Sequence, residues 1–481
     1  MSLLLRRIVL AASLSLPLSL GLSSIATASA LPPKVEQALT ANKLSRDSLA
    51  VALIPVTGTG QPIFFNADKS LNPASTMKLV TTYAALELLG PTYQWRTDFY
   101  TDGTLNNGVL NGNLYFKGGG DPKLNMEKLW LLMRDLRANG VREVTGDLVL
   151  DGSYFKMPNL PAFNDDGGDR YRPYLVSPDS LLVNLKALRF IIRNDNGTIH
   201  VVAEPPIATL DIVNNVKSLP AVAQCPGWPE VAIVPSESNG VPRVTVSGKL
   251  PVGCNMQSYL ALLDHPEYAA GAVRAIWAEL GGTIRGTDRL GTVPAGARLL
   301  ARAGSPEVVE VIRDVNKYSN NTMARQLFLS IGARHRTAQD LDDGQAANRV
   351  IHNWFEKKGI NSQQLVMENG SGLSRAERIS AREMGEMLRS AWNSPFAAEL
   401  ISSLPIAATD GTLRNRFRNT PLVGNAHLKT GTLKNVRALA GFTRDKNGNI
   451  WAVAVLLNDP RPWGGAAVLD QVLLSVYNQQ L

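Results

Sequence analysis

The run Ser48-Leu49-Ala50-Val51-Ala52-Leu53-Ile54-Pro55 is apolar at nearly every position, the pattern of a strand covered on both faces. A helical pattern over Lys34–Asn42 precedes it. A turn and a second short strand, Pro62–Asn66, follow it. A mostly apolar helix over Leu79–Leu89 comes next, ended by Gly90-Pro91. From about Arg96 the texture changes to short strands broken by Gly/Asn turns, such as Asp102-Gly103, Asn106-Asn107-Gly108 and Asn111-Gly112. One amphipathic helix, Met126–Asn139, interrupts them and stops at Gly140. Strands and Pro-rich turns fill Asn194–Ser258, and a helix over Pro266–Leu280 ends at Gly281-Gly282. After about Thr292 helical patterns return over Pro306–Asn316, Asn321–Ile331, Ala338–Lys358 and Ala381–Trp392. Three strands, His427–Leu433, Val436–Thr443 and Ile450–Leu457, precede a closing apolar helix, Val468–Tyr477, expected to pack on the sheet. The matching textures at the two ends, around a different middle, predict one discontinuous domain with a long insertion.

Residues 1–30 read as a cleavable secretory signal: Arg6-Arg7, an apolar run from Ile8 to about Leu22, then Ala28-Ser29-Ala30. An uncleaved membrane anchor is the alternative. No later stretch has eighteen uninterrupted apolar residues, so an exported, soluble, periplasmic chain is expected. The formal charge of +8 suits an anionic surface or polymer. Nucleic acid is not expected, because no concentrated basic stripe accompanies it. The two cysteines, Cys225 and Cys254, lie in the turn-rich middle; export favours a disulfide, with free buried thiols as the alternative. Two cysteines and five scattered histidines offer no metal-ligand spacing. Neither metal nor cofactor is expected. Peripheral membrane contact and self-association stay open.

Chemistry concentrates at Pro73-Ala74-Ser75-Thr76-Met77-Lys78, where a helix begins. Residues at i and i+3 share a helix face, so Ser75 and Lys78 can touch without tertiary help. A lysine kept neutral by burial and nearby cations can take a hydroxyl proton and create a nucleophile. The Ser75 amide near the helix N-terminus suits a developing oxyanion. Such a two-residue pattern recurs by chance roughly once or twice in a chain this long. A second match, Ser153-Tyr154-Phe155-Lys156, follows a strand-like run and leads into no helix, so it reads as a decoy. Gly118-Gly119-Gly120-Asp121-Pro122 lacks a Gly-Lys-Ser/Thr ending and reads as a turn rather than a phosphate loop.

Two further stretches carry suitable groups. In Ser319-Asn320-Asn321, the hydroxyl of Ser319 can pass a proton and the carboxamide of Asn321 can bind an amide, although helix capping is the usual role of such residues. Ser70-Leu71-Asn72 matches the same pattern. In Leu428-Lys429-Thr430-Gly431-Thr432-Leu433, Lys429 supplies positive charge and Gly431 permits close backbone approach. The Thr432 amide could complete an oxyanion hole with that of Ser75. An ordinary strand with a surface lysine is the alternative.

Taken in order, Ser-x-x-Lys, Ser-x-Asn and Lys-Thr-Gly form the motif set of penicillin-binding proteins and class A β-lactamases. The whole stretch after residue 30 resembles the class C low-molecular-mass penicillin-binding proteins, D-alanyl-D-alanine carboxypeptidases/endopeptidases. The likeness includes Leu71–Lys78, Gly119-Gly120-Asp121-Pro122, Asn369-Gly370-Ser371-Gly372-Leu373-Ser374-Arg375 and Ala426–Leu433. The distance from Ser75 to Ser319 exceeds what a compact β-lactamase uses. One departure is Asn320, where Asp is common.

The resemblance implies an α/β (α+β) fold: a penicillin-binding-protein/β-lactamase-like transpeptidase domain, with an antiparallel sheet flanked by helices and a large β-rich insertion forming two smaller domains. The expected division is 1–30 as signal, 31–96 with 292–481 as catalytic domain, 97–193 with 259–291 as inserted domain, and 194–258 as second inserted domain. It implies peptidoglycan stem peptides ending in D-Ala-D-Ala as substrate, and binding of β-lactam antibiotics. Ser75 would be the nucleophile and Lys78 its base, although sequence leaves open which lysine is the main base. Ser319 and Lys429 would carry the proton to the leaving amine. Asn321 would orient the substrate amide, and Thr430 with Thr432 would hold the terminal carboxylate. Arg375, Asp169 and Tyr174 would help recognise a diaminopimelate side chain. Two alternatives are a β-lactamase-like hydrolase, for which no Glu-x-x-Leu-Asn-type element stands out, and a catalytically silent peptidoglycan-binding regulator, against which the intact Ser75, Lys78 and Lys429 argue.

Overall fold

In the computed structural model the described residues are 31–161, 163, 171–238 and 241–480. The expected signal segment 1–30 and Asp169 lie outside them. The two ends of the chain meet in one antiparallel sheet of five strands. Its order is Ala426–Leu433, Val436–Arg444, Ile450–Asn458, Leu49–Pro55 and Ile63–Phe65. Side chains alternate across a strand, and both faces of Leu49–Pro55 are buried. Ala50, Ala52 and Ile54 join a core built with Val80 and Ala84 of the helix Met77–Leu88, Leu327 of Asn321–His335 and Met384 of Ala381–Trp392. Leu49, Val51 and Leu53 join the opposite core with Val35 and Leu39 of the helix Pro33–Ala41 and Val472 of Gly465–Asn478. Burial on both sides is why this strand reads as an uninterrupted apolar run. Each large aliphatic side chain so buried contributes about 1.5–3 kcal/mol. The closing helix packs on the sheet, as its apolar face suggested.

Some boundaries differ from the pattern reading. The helix expected from Ala338 begins at Asp343. Residues before it close a polar turn, in which Asp340 accepts from the Thr337 amide at 2.7 Å, and Asp342 caps the helix by accepting from the Gln345 amide at 2.8 Å. The helix Asn321–His335 outlasts its expected end at Ile331, and its last turn carries Arg334 and His335, residue types suited to a helix C-terminus. A short helix, Ala397–Ser403, was not anticipated.

The middle of the chain forms further sheets. One has five strands, in the order Asp288–Leu290, Leu148–Asp151, Leu114–Gly118, Arg96–Thr101 and Arg298–Gly304. Farther along, Leu188–Asp195 pairs with both Thr198–Glu204 and Asn255–Leu260, so this strand runs across position 194, where the texture changes. Val241–Pro251 is the centre of another three-stranded sheet. One apolar core runs through the region, from the stacked Phe99–Phe116 pair to Phe190, Val246 and Trp277. Cys225 and Cys254 form a disulfide, and Cys254 is buried in this core. No helix among the described residues is long and apolar enough to cross a membrane.

Candidate active site

Ser75 lies in a single 3-10 turn, Ala74–Thr76, that runs straight into the helix Met77–Leu88. The turn is held from outside. Asn72 and Asn458 exchange hydrogen bonds at 2.9 Å each, and Asn72 donates to the Ser374 carbonyl at 2.8 Å. The Ala74 amide donates to Asn72 Oδ1 at 2.8 Å, which fits Ala74 to its left-handed φ of +45°. Such a conformation costs on the order of 1–3 kcal/mol and persists only where the surroundings over-determine it. Two glycines admit the neighbouring chain. A Cβ on Gly431 would stand 2.6 Å from the Pro73 carbonyl oxygen, and one on Gly372, whose φ is +79°, would collide with the Ala74 carbonyl. The Lys-Thr-Gly strand and the 369–372 loop therefore press directly on the turn that bears Ser75.

Lys78, one turn along, is fully buried. Its Nζ lies 3.0 Å from Ser75 Oγ and 2.7 Å from Asn321 Oδ1, and it also donates to the Ser371 carbonyl. Burial, and then the nearby charge of Lys429, push this amine well below the usual lysine range; Glu377 opposes the shift and Arg325 adds to it. A neutral amine has two N–H donors and one lone pair. Asn321 Oδ1 and the Ser371 carbonyl can take only hydrogens, which leaves the lone pair for the Ser75 hydroxyl. The Asn321 amide is held in this sense because its Nδ2 donates to the Tyr174 carbonyl at 3.1 Å.

The second lysine completes the cluster. Lys429 is fully buried, with Nζ 2.8 Å from Ser319 Oγ and 2.9 Å from the Thr430 carbonyl oxygen. Burial brings it down to about 7. Ser319 has a left-handed φ of +57°, which turns the chain just before the helix Asn321–His335. Asn320 caps that helix by accepting from the Met323 amide at 3.0 Å. The residue that departs from the common motif thus has a structural task. Thr430 Oγ1 lies 3.0 Å from Thr412 Oγ1, and Thr432 is exposed on the same edge strand.

The inserted region reaches this centre through the helix that bears Asn321. Thr322 donates to the Val176 carbonyl at 2.9 Å, and Gln326 donates to the carbonyls of Gly120 and Asp179 at 3.1 and 2.9 Å. The Gly119-Gly120-Asp121-Pro122 turn is therefore a docking element. Next to the Ser75 turn lies a cavity of about 550 Å³, whose lining includes Arg325, Glu368, Arg375, Phe163, Leu175 and Leu373. The last three also pack with Ala74.

The structure thus gathers two hydrogen-bonded sets, Ser75–Lys78–Asn321 and Ser319–Lys429, near enough for the Lys429 charge to act on Lys78, with Gly431 against the turn that bears Ser75. It sets Arg375 on the adjoining cavity and brings the Tyr174 main-chain carbonyl to Asn321. It keeps the decoy apart: the Ser153 amide donates to Asp151 Oδ1 at 3.0 Å, and Lys156 Nζ reaches the Asp340 carbonyl at 3.4 Å. Sequence reasoning did not assign Asn72, Ser371, Glu377 or Thr412. Ser371 lay within a recognised stretch, but nothing local marks its carbonyl as a lysine acceptor.

Comparison with known proteins places the whole chain. A family model described as D-Ala-D-Ala carboxypeptidase 3 (S13) matches residues 31–472. A D-alanyl-D-alanine carboxypeptidase of Actinomadura sp. (strain R39) is 31% identical over 431 residues, covering 86% of this chain and 79% of the relative. The D-alanyl-D-alanine carboxypeptidase DacB of Haemophilus influenzae is 27% identical over 413 residues, covering 82% of each chain. The crystal structure of penicillin binding protein 4 (dacB) from Haemophilus influenzae shares the fold, with a TM-score of 0.75 at 24% identity over 92% of this chain and 99% of that one.

Proposed function

As the chain belongs to the D-Ala-D-Ala carboxypeptidase 3 (S13) family, we propose that it cleaves peptidoglycan stem peptides and their cross-links through an acyl-enzyme on Ser75, and that β-lactams acylate the same oxygen. The observation that carries this is the set of contacts around Lys78: two acceptors occupy its N–H groups and Ser75 Oγ lies 3.0 Å from Nζ. Ser75 gives its proton to Lys78 as Oγ attacks the carbonyl of the penultimate D-Ala. The peptide bond to the terminal residue then breaks. The leaving amine takes a proton relayed through Ser319 from Lys429, whose Nζ stands 2.8 Å from that hydroxyl. Asn321 orients the substrate amide, and Thr430 with Thr432 holds the terminal carboxylate on the open edge of the strand. Water then attacks the ester and gives its proton to Lys429, while protonated Lys78 returns its proton to Ser75 Oγ as the acyl bond breaks.

The cavity beside Ala74 is the proposed seat of a diaminopimelate side chain, which ends in an ammonium and a carboxylate. Arg375 would fork onto the carboxylate, and Glu368 lines the same cavity as an acid for the ammonium. Tyr174 contributes near the Asn321 end, and Asp169 is a further proposed partner. The signal-like pattern of residues 1–30 and the disulfide support a periplasmic location. The proposed division is a catalytic domain from 31–96 with 292–481, an inserted domain from 97–193 with 259–291, and a second from 194–258.

The test is incubation with benzylpenicillin, intact mass measurement and peptide mapping. An adduct on the peptide containing Ser75 is expected; an adduct elsewhere, or none, would overturn the reading. On substrates, diaminopimelate-containing muropeptides should be hydrolysed much faster than a short D-Ala-D-Ala analogue. Arg375→Ala should erase most of that preference while leaving penicillin acylation nearly intact. Equal wild-type rates on both substrates would remove the cavity from the mechanism.

A further inference from the structure

Behind the Lys78 amine the 369–372 loop is oriented as a layer of aligned peptide groups. Thr81 Oγ1 donates to the Gly370 carbonyl at 2.6 Å, and Lys78 donates to the Ser371 carbonyl, so these oxygens face the nucleophile helix. The N–H groups on the opposite side face one carboxylate. Asn369 and Gly370 amides donate to Glu377 Oε1 at 3.0 and 2.8 Å, and the Gly372 amide faces the same group. Glu377 is fully buried, and its Oε2 has no hydrogen-bond partner among the described residues. The peptide unit between Ser371 and Gly372 therefore spans the gap, with its carbonyl on Lys78 and its N–H toward Glu377.

We propose that Glu377 is a positioning residue for the base: it fixes the 371–372 peptide so that its carbonyl claims one Lys78 hydrogen, and it supplies the negative charge that balances the cations around Lys78. An isolated buried carboxylate is costly unless it is hydrogen-bonded and faces opposite charge. Here burial pushes the Glu377 carboxyl above its usual range, while the loop amides and Lys78 pull it the other way and Arg325 also acts on it. The charged groups acting on Lys78 are Lys429 from the Lys-Thr-Gly strand, Arg325 from the helix Asn321–His335 and Glu377 from the loop; only the last favours the protonated amine. Carboxylate and amine never meet. They act through one peptide dipole and through space.

This rests on Lys78 acting as the base, and the experiment separates the two. The rate constant for acylation by benzylpenicillin is measured across pH for wild type and Glu377→Gln, with folding checked by thermal melting. In wild type the rate should fall on the acid side as Lys78 takes its proton. In Glu377→Gln, loss of the negative charge makes Lys78 easier to deprotonate, so that acid limb should move to lower pH. The plateau should also fall by about tenfold or more, because the amide sets an NH2 group where the carboxylate faced the Gly372 N–H, and the 371–372 carbonyl shifts. A merely structural residue would lower the plateau and leave the limb in place, which would overturn the proposal. A wild-type profile without an acid limb would overturn Lys78 as base, and the proposal with it. Should Glu377→Gln fail to fold, Glu377→Asp serves: it keeps the charge but withdraws the carboxylate from the loop. The plateau is then expected to drop with the limb near its wild-type place, and an unchanged plateau would refute the role.

Discussion

The chain carries the same local pattern twice, Ser75-x-x-Lys78 and Ser153-x-x-Lys156, in two regions that use it differently. At the first, a 3-10 turn feeds a helix, so the side chains share a face and Lys78 Nζ comes within 3.0 Å of Ser75 Oγ. At the second, the chain leaves a strand into an open turn. There the Ser153 amide is taken by Asp151, while the Lys156 amide and ammonium reach Asp343 and Asp340 of the catalytic body at 2.8 and 3.4 Å. The first pair is the proposed nucleophile and base; the second ties the middle of the chain to Asp340 and Asp343. The surroundings differ as much as the backbone. Lys78 is fully buried beside another buried lysine and is driven toward its neutral form. The spacing of residue types is common to both pairs; the helix and the desolvated cationic pocket are what distinguish the first.

The comparison can be broken most severely at the hydroxyls. Ser75→Ala should abolish the penicillin adduct seen by mass spectrometry, whereas Ser153→Ala should leave its stoichiometry unchanged. An adduct surviving Ser75→Ala would reverse the two roles. The lysines come next. Lys78→Ala should slow acylation on the order of a thousandfold or more with the circular dichroism intact, because removing one member of a coupled unit costs nearly as much as removing the whole. Lys156→Ala should change the acylation rate by no more than about twofold and lower stability by about 1 kcal/mol or less.

A smaller effect concerns pH and distinguishes Lys429 from Lys78. Below about 7 Lys429 carries its charge, and above it the charge is lost. For a substrate with a terminal carboxylate, kcat/KM should therefore decline as pH rises through about 7, and Lys429→Arg should push that decline to higher pH. Stability moves the other way. Lys429 sits at about 7 in the folded chain against the ordinary 10.5, so between these values the unfolded chain binds more protons and stability rises with pH. Lys429→Met should flatten that rise in denaturant titrations at pH 7 and 9.

The smallest effect on activity is expected at the disulfide, which belongs to the inserted region alone. Cys225→Ala with Cys254→Ala opens a loop of 29 positions. In the chain-entropy model this costs about 3.6 kcal/mol of that region's stability. Penicillin acylation should stay within about twofold of wild type. A large loss of acylation would mean that the inserted region holds the catalytic centre in shape through Gln326 and Thr322.

Sequence by itself determined what local periodicity and residue chemistry can carry. Leu49–Pro55 had to be covered on both faces, because no polar position interrupts it. Ser75 and Lys78 had to meet once a helix began there, because three residues make nearly one turn. The cysteines had few partners to choose from. Tertiary structure decided the rest. The Ser371 carbonyl meets Lys78 across 293 residues, and a carbonyl carries no residue-type signal. Glu377 reads as an ordinary surface acid until the loop amides close over it. Thr412 reaches Thr430 only because the turn Gly411–Leu413 lies beside the edge strand. The depressed basicity of both lysines is a property of burial, which arises when segments distant in sequence pack together and exclude water. A side chain's type is local, but its solvation is set by everything folded around it.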